Sequence, residues 1–310
     1  MTIEHPKPSS NARWNLPEVV EALRESREVS HRVRHQGRVR ELPSRDALTT
    51  IMQGLSAALF PTHYGRPDLT DENIDFFVGH TLSDTLDSLA EQVRRALMFA
   101  VPVAPESGEH ASDADLPVRA QGIVRSLAEQ LPAIRGALFS DLQAAWQGDP
   151  AATGMSEILL CYPGVTAIIH HRIAHTLLQL GTPLLARLIA DIAHARTGID
   201  IHPAAQIGRG FFIDHGTGVV IGETCVIGEN VRLYQAVTLG AKRFPADENG
   251  HLVKGLARHP IVEDDVVIYA GATVLGRITI GRGSTIGGNV WLTQSVPPGS
   301  NVSQALSRQS

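Results

Sequence analysis

Two hydrophobic periods divide the chain. From Trp14 to about Arg196 apolar residues recur at helical spacing: Val19, Val20 and Leu23; then Leu82, Leu86, Leu89 and Val93; then Ile168, Ile169, Ile173, Leu177 and Leu178. This spacing predicts amphipathic helices. Asp71 and Thr81 precede two of these stretches as N-cap types, and Pro183 stands where a first-turn proline is tolerated. Usual helix lengths give roughly six to eight helices in this half. The stretch 104–117, rich in Pro, Ser, Gly and acid, reads as a loop before the helices resume.

After Gly198 the period becomes six. Aliphatic residues return at Ile201, Ile207, Ile213 and Val219, slip by two residues, and continue at Ile221, Ile227, Leu233 and Leu239. The pattern restarts at Val262 and runs through Ile268, Val274, Ile280, Ile286 and Leu292. Glycine often follows the aliphatic, as in Ile207-Gly208, Ile221-Gly222 and Ile280-Gly281, and is expected there for tight turns. Four places after the aliphatic come small or apolar residues such as Cys225, Val231, Ala272 and Ser284. No α-helix has this period. It predicts a parallel β-helix in which three short strands make one triangular coil and coils stack on one another.

Composition narrows the partners. With 43% hydrophobic and 19% charged residues and a net charge of -5, the chain reads as an ordinary globular protein with no electrostatic footprint for nucleic acid. Cys161 and Cys225 are the only cysteines, which fits a reducing compartment and excludes a disulfide framework. Cys225 occupies a core place of its hexad. No stretch approaches the roughly 18 to 20 apolar residues of a membrane span, so a cytoplasmic location is expected.

A regular prism needs no histidine and no long loop, so chemistry is expected where the repeat fails. One failure is the slip around Ile213-Asp214-His215-Gly216-Thr217-Gly218, and the other is the excursion from Gly240 to about Ile261, which carries Arg258-His259-Pro260. Histidine is the side chain poised to accept a proton near neutral pH, which singles out His215 and His259. His170, His171, His194, His202 and His251 are read as idle.

The segments DIHPAAQIGRGFFIDHGTGVVIGE, VTLG and RHP resemble the catalytic domain of the serine acetyltransferases, and LFSDLQAAWQGDPAA with LLCYPGVTAIIHHRIAHTLL resembles the end of that family's helical domain. The resemblance implies an α-helical amino-terminal domain followed by a left-handed parallel β-helix with one long loop excursion. Its boundaries are expected as a disordered tail at 1–13, a helical domain at 14–196 that serves oligomerisation and part of the serine site, a catalytic β-helix at 197–298 and a short tail at 299–310. It implies acetyl transfer from acetyl-coenzyme A to L-serine, with acetyl-coenzyme A as co-substrate and no metal.

By the same resemblance His215 is the base, Asp200 orients it, and His259 is the second histidine of the site. Asp149 and Asp214 would hold the substrate ammonium, Arg258 its carboxylate, and Glu223 would support them. Gly240, Ala241, Ala270 and Gly271 resemble coenzyme-contacting positions. A lysine that some members carry near Ser284-Thr285 is absent, which leaves the coenzyme phosphates to Lys242, Arg243 or Arg282, or to no side chain. Assembly as a homotrimer or a dimer of trimers and inhibition by cysteine are also implied. The chain stops at NVSQALSRQS where family members commonly continue to a terminal Ile, so a stable complex with cysteine synthase is not expected. Three other readings remain: a hexapeptide acyltransferase for homoserine or a sugar, a zinc-binding β-helix of carbonic-anhydrase type, and a scaffold.

Overall fold

The computed structural model describes residues 14–30, 34–35, 38–39, 41–100, 115–243 and 245–304. The expected tail at 1–13 and most of the expected loop at 104–117 lie outside the described residues. Eight helices are described: α1 (Leu16–Ser30), α2 (Arg45–Leu59), α3 (Pro61–Tyr64), α4 (Ile74–Ala100), α5 (Leu116–Gly148), α6 (Met155–Cys161), α7 (Pro163–Gln179) and α8 (Pro183–Thr197). Pro183 begins α8, as the first-turn rule predicts. Thr81 does not begin a helix. It lies inside α4, because the apolar period runs unbroken from Ile74 to Val93 with no proline to stop it; the helix starts at Ile74, after a turn in which the Ile74 amide donates to the Thr70 carbonyl at 3.0 Å.

Gly198 marks the change of period. Its φ of 69° is the left-handed conformation that ends α8, and its amide donates to the His194 carbonyl at 2.8 Å. Two-residue and three-residue parallel strands follow, stacked in three sheets that form the sides of a prism. One side aligns Ile201, Ile221, Leu239, Val274 and Leu292; the second aligns Ile207, Ile227, Val262 and Ile280; the third aligns Ile213, Leu233, Ile268, Ile286 and Val302. The strand Asn301–Val302 pairs in register with Thr285–Ile286, so the stack continues past the expected boundary at 298.

Register measures the two departures. Ile221 pairs with Leu239, eighteen residues on, but Ile201 pairs with Ile221, twenty on, which locates the two-residue slip. Ile227 pairs with Val262, thirty-five on, which locates the excursion.

The glycines after the aliphatics have a different reason from the expected turn. Left-handed φ values fall two places later, at Gly210, Asn230, Asp265, Gly271, Gly283 and Asn289. Gly208 and Gly228 are needed instead because a Cβ would meet the next coil, 2.5 Å from the Gly228 carbonyl oxygen and 2.8 Å from the Asp264 amide respectively.

The helical half seats on the first coil through a buried ion pair. Arg172 Nε and Nη2 bond the two oxygens of Asp141 at 2.8 Å each, Nη2 also donates to the Gly208 carbonyl, and the Phe211 amide donates to Asp141. These groups satisfy backbone that an open end of the prism would leave unpaired.

Inside the prism Leu233, Leu239, Val262, Ile268, Val274 and Ile280 have no exposed surface. A carboxylate there would lose its hydration with no partner, at a cost of several kcal/mol. Ile268→Asp is therefore expected to abolish cooperative unfolding in a circular-dichroism melt, whereas Ile268→Val should lower stability by only about 1 kcal/mol.

Candidate active site

Two groups of polar side chains occupy different corners of the prism. The first surrounds His215. The two extra residues of the first coil put His215 itself at φ 60°, a region that residues with a Cβ rarely adopt. The imidazole is thereby thrown outside the spiral, with 69% of its side chain exposed, and its Nδ1 lies 3.6 Å from Oδ1 of the nearly buried Asp214.

Helix α7 supplies the wall beside it. A Cβ on Gly164 would stand 2.3 Å from the Ile213 carbonyl oxygen, so glycine lets the start of the helix lie directly on the coil. Tyr162 then stacks on Phe212 with ring centroids 6.5 Å apart, and its hydroxyl donates to Asp149, the residue that caps α5. The Ala151 amide donates to the other oxygen of Asp149 at 2.8 Å. The Tyr162 hydroxyl first, then the Ala151 amide, hold this carboxyl below the ordinary carboxylate range, and the positive potentials of His215 and Arg232 act the same way. Asp149 is ionised at neutral pH.

The second group surrounds His259, where the excursion returns. Thr224 gathers it: its Oγ1 accepts from the amides of Arg258 at 2.9 Å and His259 at 3.1 Å, and its own amide donates to His259 Nδ1 at 3.0 Å. That bond leaves the ring proton on Nε2. Arg277 closes the return by donating to the carbonyls of Thr224 and His259 at 2.7 and 3.1 Å. The ring itself lies over Gly222, where a Cβ would come within 2.0 Å of His259 Cδ2. Arg258 Nη2 donates to Glu223 at 2.6 Å, which holds the Glu223 carboxyl below its usual value.

The expected residues therefore fall into two sets. His215, Asp214 and Asp149 come together, and so do His259, Arg258 and Glu223. Asp200 stands on its strand with its charge felt at His202, and among the described residues no hydrogen bond joins it to His215. Gly240 and Ala241 sit where the excursion leaves, at the His259 corner, with the Gly240 carbonyl accepting from the Gly276 amide. Ala270 and Gly271 sit at the His215 corner, two coils further along. Lys242 and Arg243 line a cleft of about 300 Å³ with Arg258, Arg277, Leu256 and Leu275, while Arg282 is paired with Asp264 elsewhere.

Tyr162, Thr224, Arg277 and Arg232 were not singled out from the sequence. None breaks a repeat, and only Tyr162, inside a quoted motif, and Thr224, next to one, carried a signal. His202, read as idle, lies within electrostatic reach of Glu223, Asp200 and Arg258. Among the described residues no group of His, Cys, Asp or Glu is placed to hold a metal ion, and no helix is long and apolar enough to cross a membrane.

Burial depresses the imidazoles of His170, His171, His202 and His259, the last to about 4. In the unfolded chain they would protonate near 6.5. Between roughly 6.5 and 4 the unfolded state thus binds more protons, and stability must fall as pH falls through that window. The melting temperature is expected to drop from pH 7 to pH 5, less steeply in His259→Asn; identical slopes would remove His259 from this account.

Known proteins share both the pattern and the architecture. The bacterial transferase hexapeptide (six repeats) family matches residues 259–294. The plasmid serine acetyltransferase of Synechococcus elongatus is 56% identical over 297 residues, covering 95% of this chain and 92% of that one. The serine acetyltransferase of Mycobacterium tuberculosis is 49% identical over 172 residues, covering 56% of this chain and 69% of that one. Among solved structures, Entamoeba histolytica serine acetyltransferase 1 in complex with L-cysteine superposes with a TM-score of 0.70 at 35% identity, covering 92% of this chain and 97% of that one. The Neisseria gonorrhoeae serine acetyltransferase in complex with serine gives 0.53 at 31% identity, covering 83% and 95%. A helical region followed by a left-handed parallel β-helix is common to them. With identity this high along nearly the whole of two chains, the protein belongs to the serine acetyltransferase family.

Proposed function

We propose that the protein transfers the acetyl group of acetyl-coenzyme A to the hydroxyl of L-serine, giving O-acetyl-L-serine and free coenzyme A, the first step from serine to cysteine. The observation that carries this reading is His215, exposed on a left-handed turn with Asp214 and Asp149 beside it.

A serine hydroxyl is too weak an acid to attack a thioester unaided. In this reading His215 takes its proton as the oxygen bonds to the acetyl carbonyl carbon; the carbon–sulfur bond then breaks, and the departing thiolate recovers the proton from the imidazolium. No covalent enzyme intermediate forms. Ionised Asp149, with Asp214, holds the substrate ammonium, and Arg258 takes its carboxylate as a charge-assisted pair. His259, neutral and with its proton on Nε2, serves as a hydrogen-bond donor to bound substrate. Asp200 orients the base. Holding both substrates in register removes much of the entropic barrier.

The chain is proposed to act as a homotrimer, alone or as a dimer of trimers. The His215 and His259 groups stand at different corners, and a threefold assembly apposes one protomer's first corner to its neighbour's second. The same apposition unites Gly240 and Ala241 with Ala270 and Gly271 along one groove, where Lys242, Arg243 and Arg277 meet the coenzyme phosphates. Cysteine offers the same ammonium and carboxylate as serine, so it is proposed to compete at this site; the complex of a relative with L-cysteine supports this.

Thiol release from acetyl-coenzyme A, measured with serine, homoserine, threonine and simple sugars, is expected to be fastest with serine. His215→Ala should lower kcat by about 10²- to 10⁴-fold. A better acceptor among the others, or an unchanged rate in His215→Ala, would overturn this assignment.

A further inference from the structure

Arg232 takes no part in the chemistry above, yet it reaches the amino-acid corner from the second coil. It pairs with Phe212 in the strand register, with Leu233 beside it filling the prism and its own side chain outside. The guanidinium carbon lies 5.6 Å from the Phe212 ring centroid, and Nη1 donates to the Gly148 carbonyl at 2.9 Å. Gly148 is the last residue of α5, so the cation also meets the negative end of a 33-residue helix. Among the described residues no carboxylate forms an ion pair with it.

The fit depends on a missing side chain. A Cβ on residue 148 would stand 2.3 Å from Arg232 Nη2 and 2.7 Å from Cζ, so any residue but glycine displaces the guanidinium. Asp149 is the next residue, and Tyr162, which bonds Asp149, stacks on the Phe212 ring that Arg232 covers. One guanidinium thus pins both the backbone that carries Asp149 and the ring beneath its hydrogen-bond donor.

We propose that Arg232 and Gly148 form a coupled positioning pair that fixes the Asp149 carboxylate for the ammonium group of the amino-acid substrate. The pair acts on amino-acid binding, not on proton transfer or the coenzyme. This rests on the serine site proposed above; wild-type activity with serine tests that site separately, before any variant is made.

Steady-state rates of Arg232→Ala, Arg232→Lys, Gly148→Ala and the double variant Gly148→Ala/Arg232→Ala test the pair in the full-length protein. Arg232→Ala and Gly148→Ala are each expected to raise the KM for serine about tenfold while kcat and the KM for acetyl-coenzyme A change less than about twofold. The double variant should be no worse than either single one, because both remove one interaction. Arg232→Lys, which keeps a donor for the Gly148 carbonyl, should fall between. Alanine is the better helix former, so a loss in Gly148→Ala cannot come from a weakened helix. Should Arg232→Ala fail to fold, Arg232→Lys and Gly148→Ala carry the test. An unchanged serine KM, an equal rise in the KM for acetyl-coenzyme A, a fall in kcat alone, or multiplying effects in the double variant would overturn the proposal.

Discussion

The structure depends on coil stacking on coil at the spacing of β-strands, about 4.8 Å. At that spacing the interior admits one aliphatic side chain per strand and nothing charged, and the backbone approach is so close that Gly208 and Gly228 have no room for a Cβ. Such a column can be extended but cannot be hollowed. Polar chemistry is therefore confined to its corners and to whatever leaves the spiral, and the chain uses both: two added residues expose His215, and a longer excursion returns with Arg258 and His259.

The corners are made useful by elements that lean on them. Helix α7 lies on the first coil because Gly164 permits it, and it delivers Tyr162 to Asp149; the end of α5 is held by Arg232 and Gly148. At the other corner Thr224 uses backbone and side chain together to set the tautomer of His259, over a ring-shaped vacancy that Gly222 leaves. In each case a rigid β-strand fixes one partner, and a glycine supplies the space for the other. The electrostatics follow: Asp149 is kept ionised by its donors, and His259 is kept neutral by burial.

Much of this was legible from residue order alone. A period of six is a statement about geometry, and its two failures pointed to His215 and His259. The helical half was less transparent. Thr81 had the chemistry of a helix start, but the apolar face that runs through it, with Leu89 in the core and Leu82 and Leu86 packed against it, overrode it. The glycines after the aliphatics were visible, but their purpose was not, since close approach between coils depends on stacking rather than on local turn preference. Arg232 was invisible for a related reason: an outward arginine in a hexad looks solvated until the helix end that it clamps, 84 residues earlier, is in place.

We propose that one chain carries two halves of a site, and that a site is completed only between chains. Mixing unfolded His215→Ala and His259→Ala chains, each inactive alone, and refolding them together tests it most directly. In a threefold assembly with each site shared by two neighbours, random mixing should restore about a quarter of the wild-type activity, because one neighbour pair in four carries both intact histidines. Activity that stays at the level of the separate variants, in a mixture shown to exchange chains, would contradict the account.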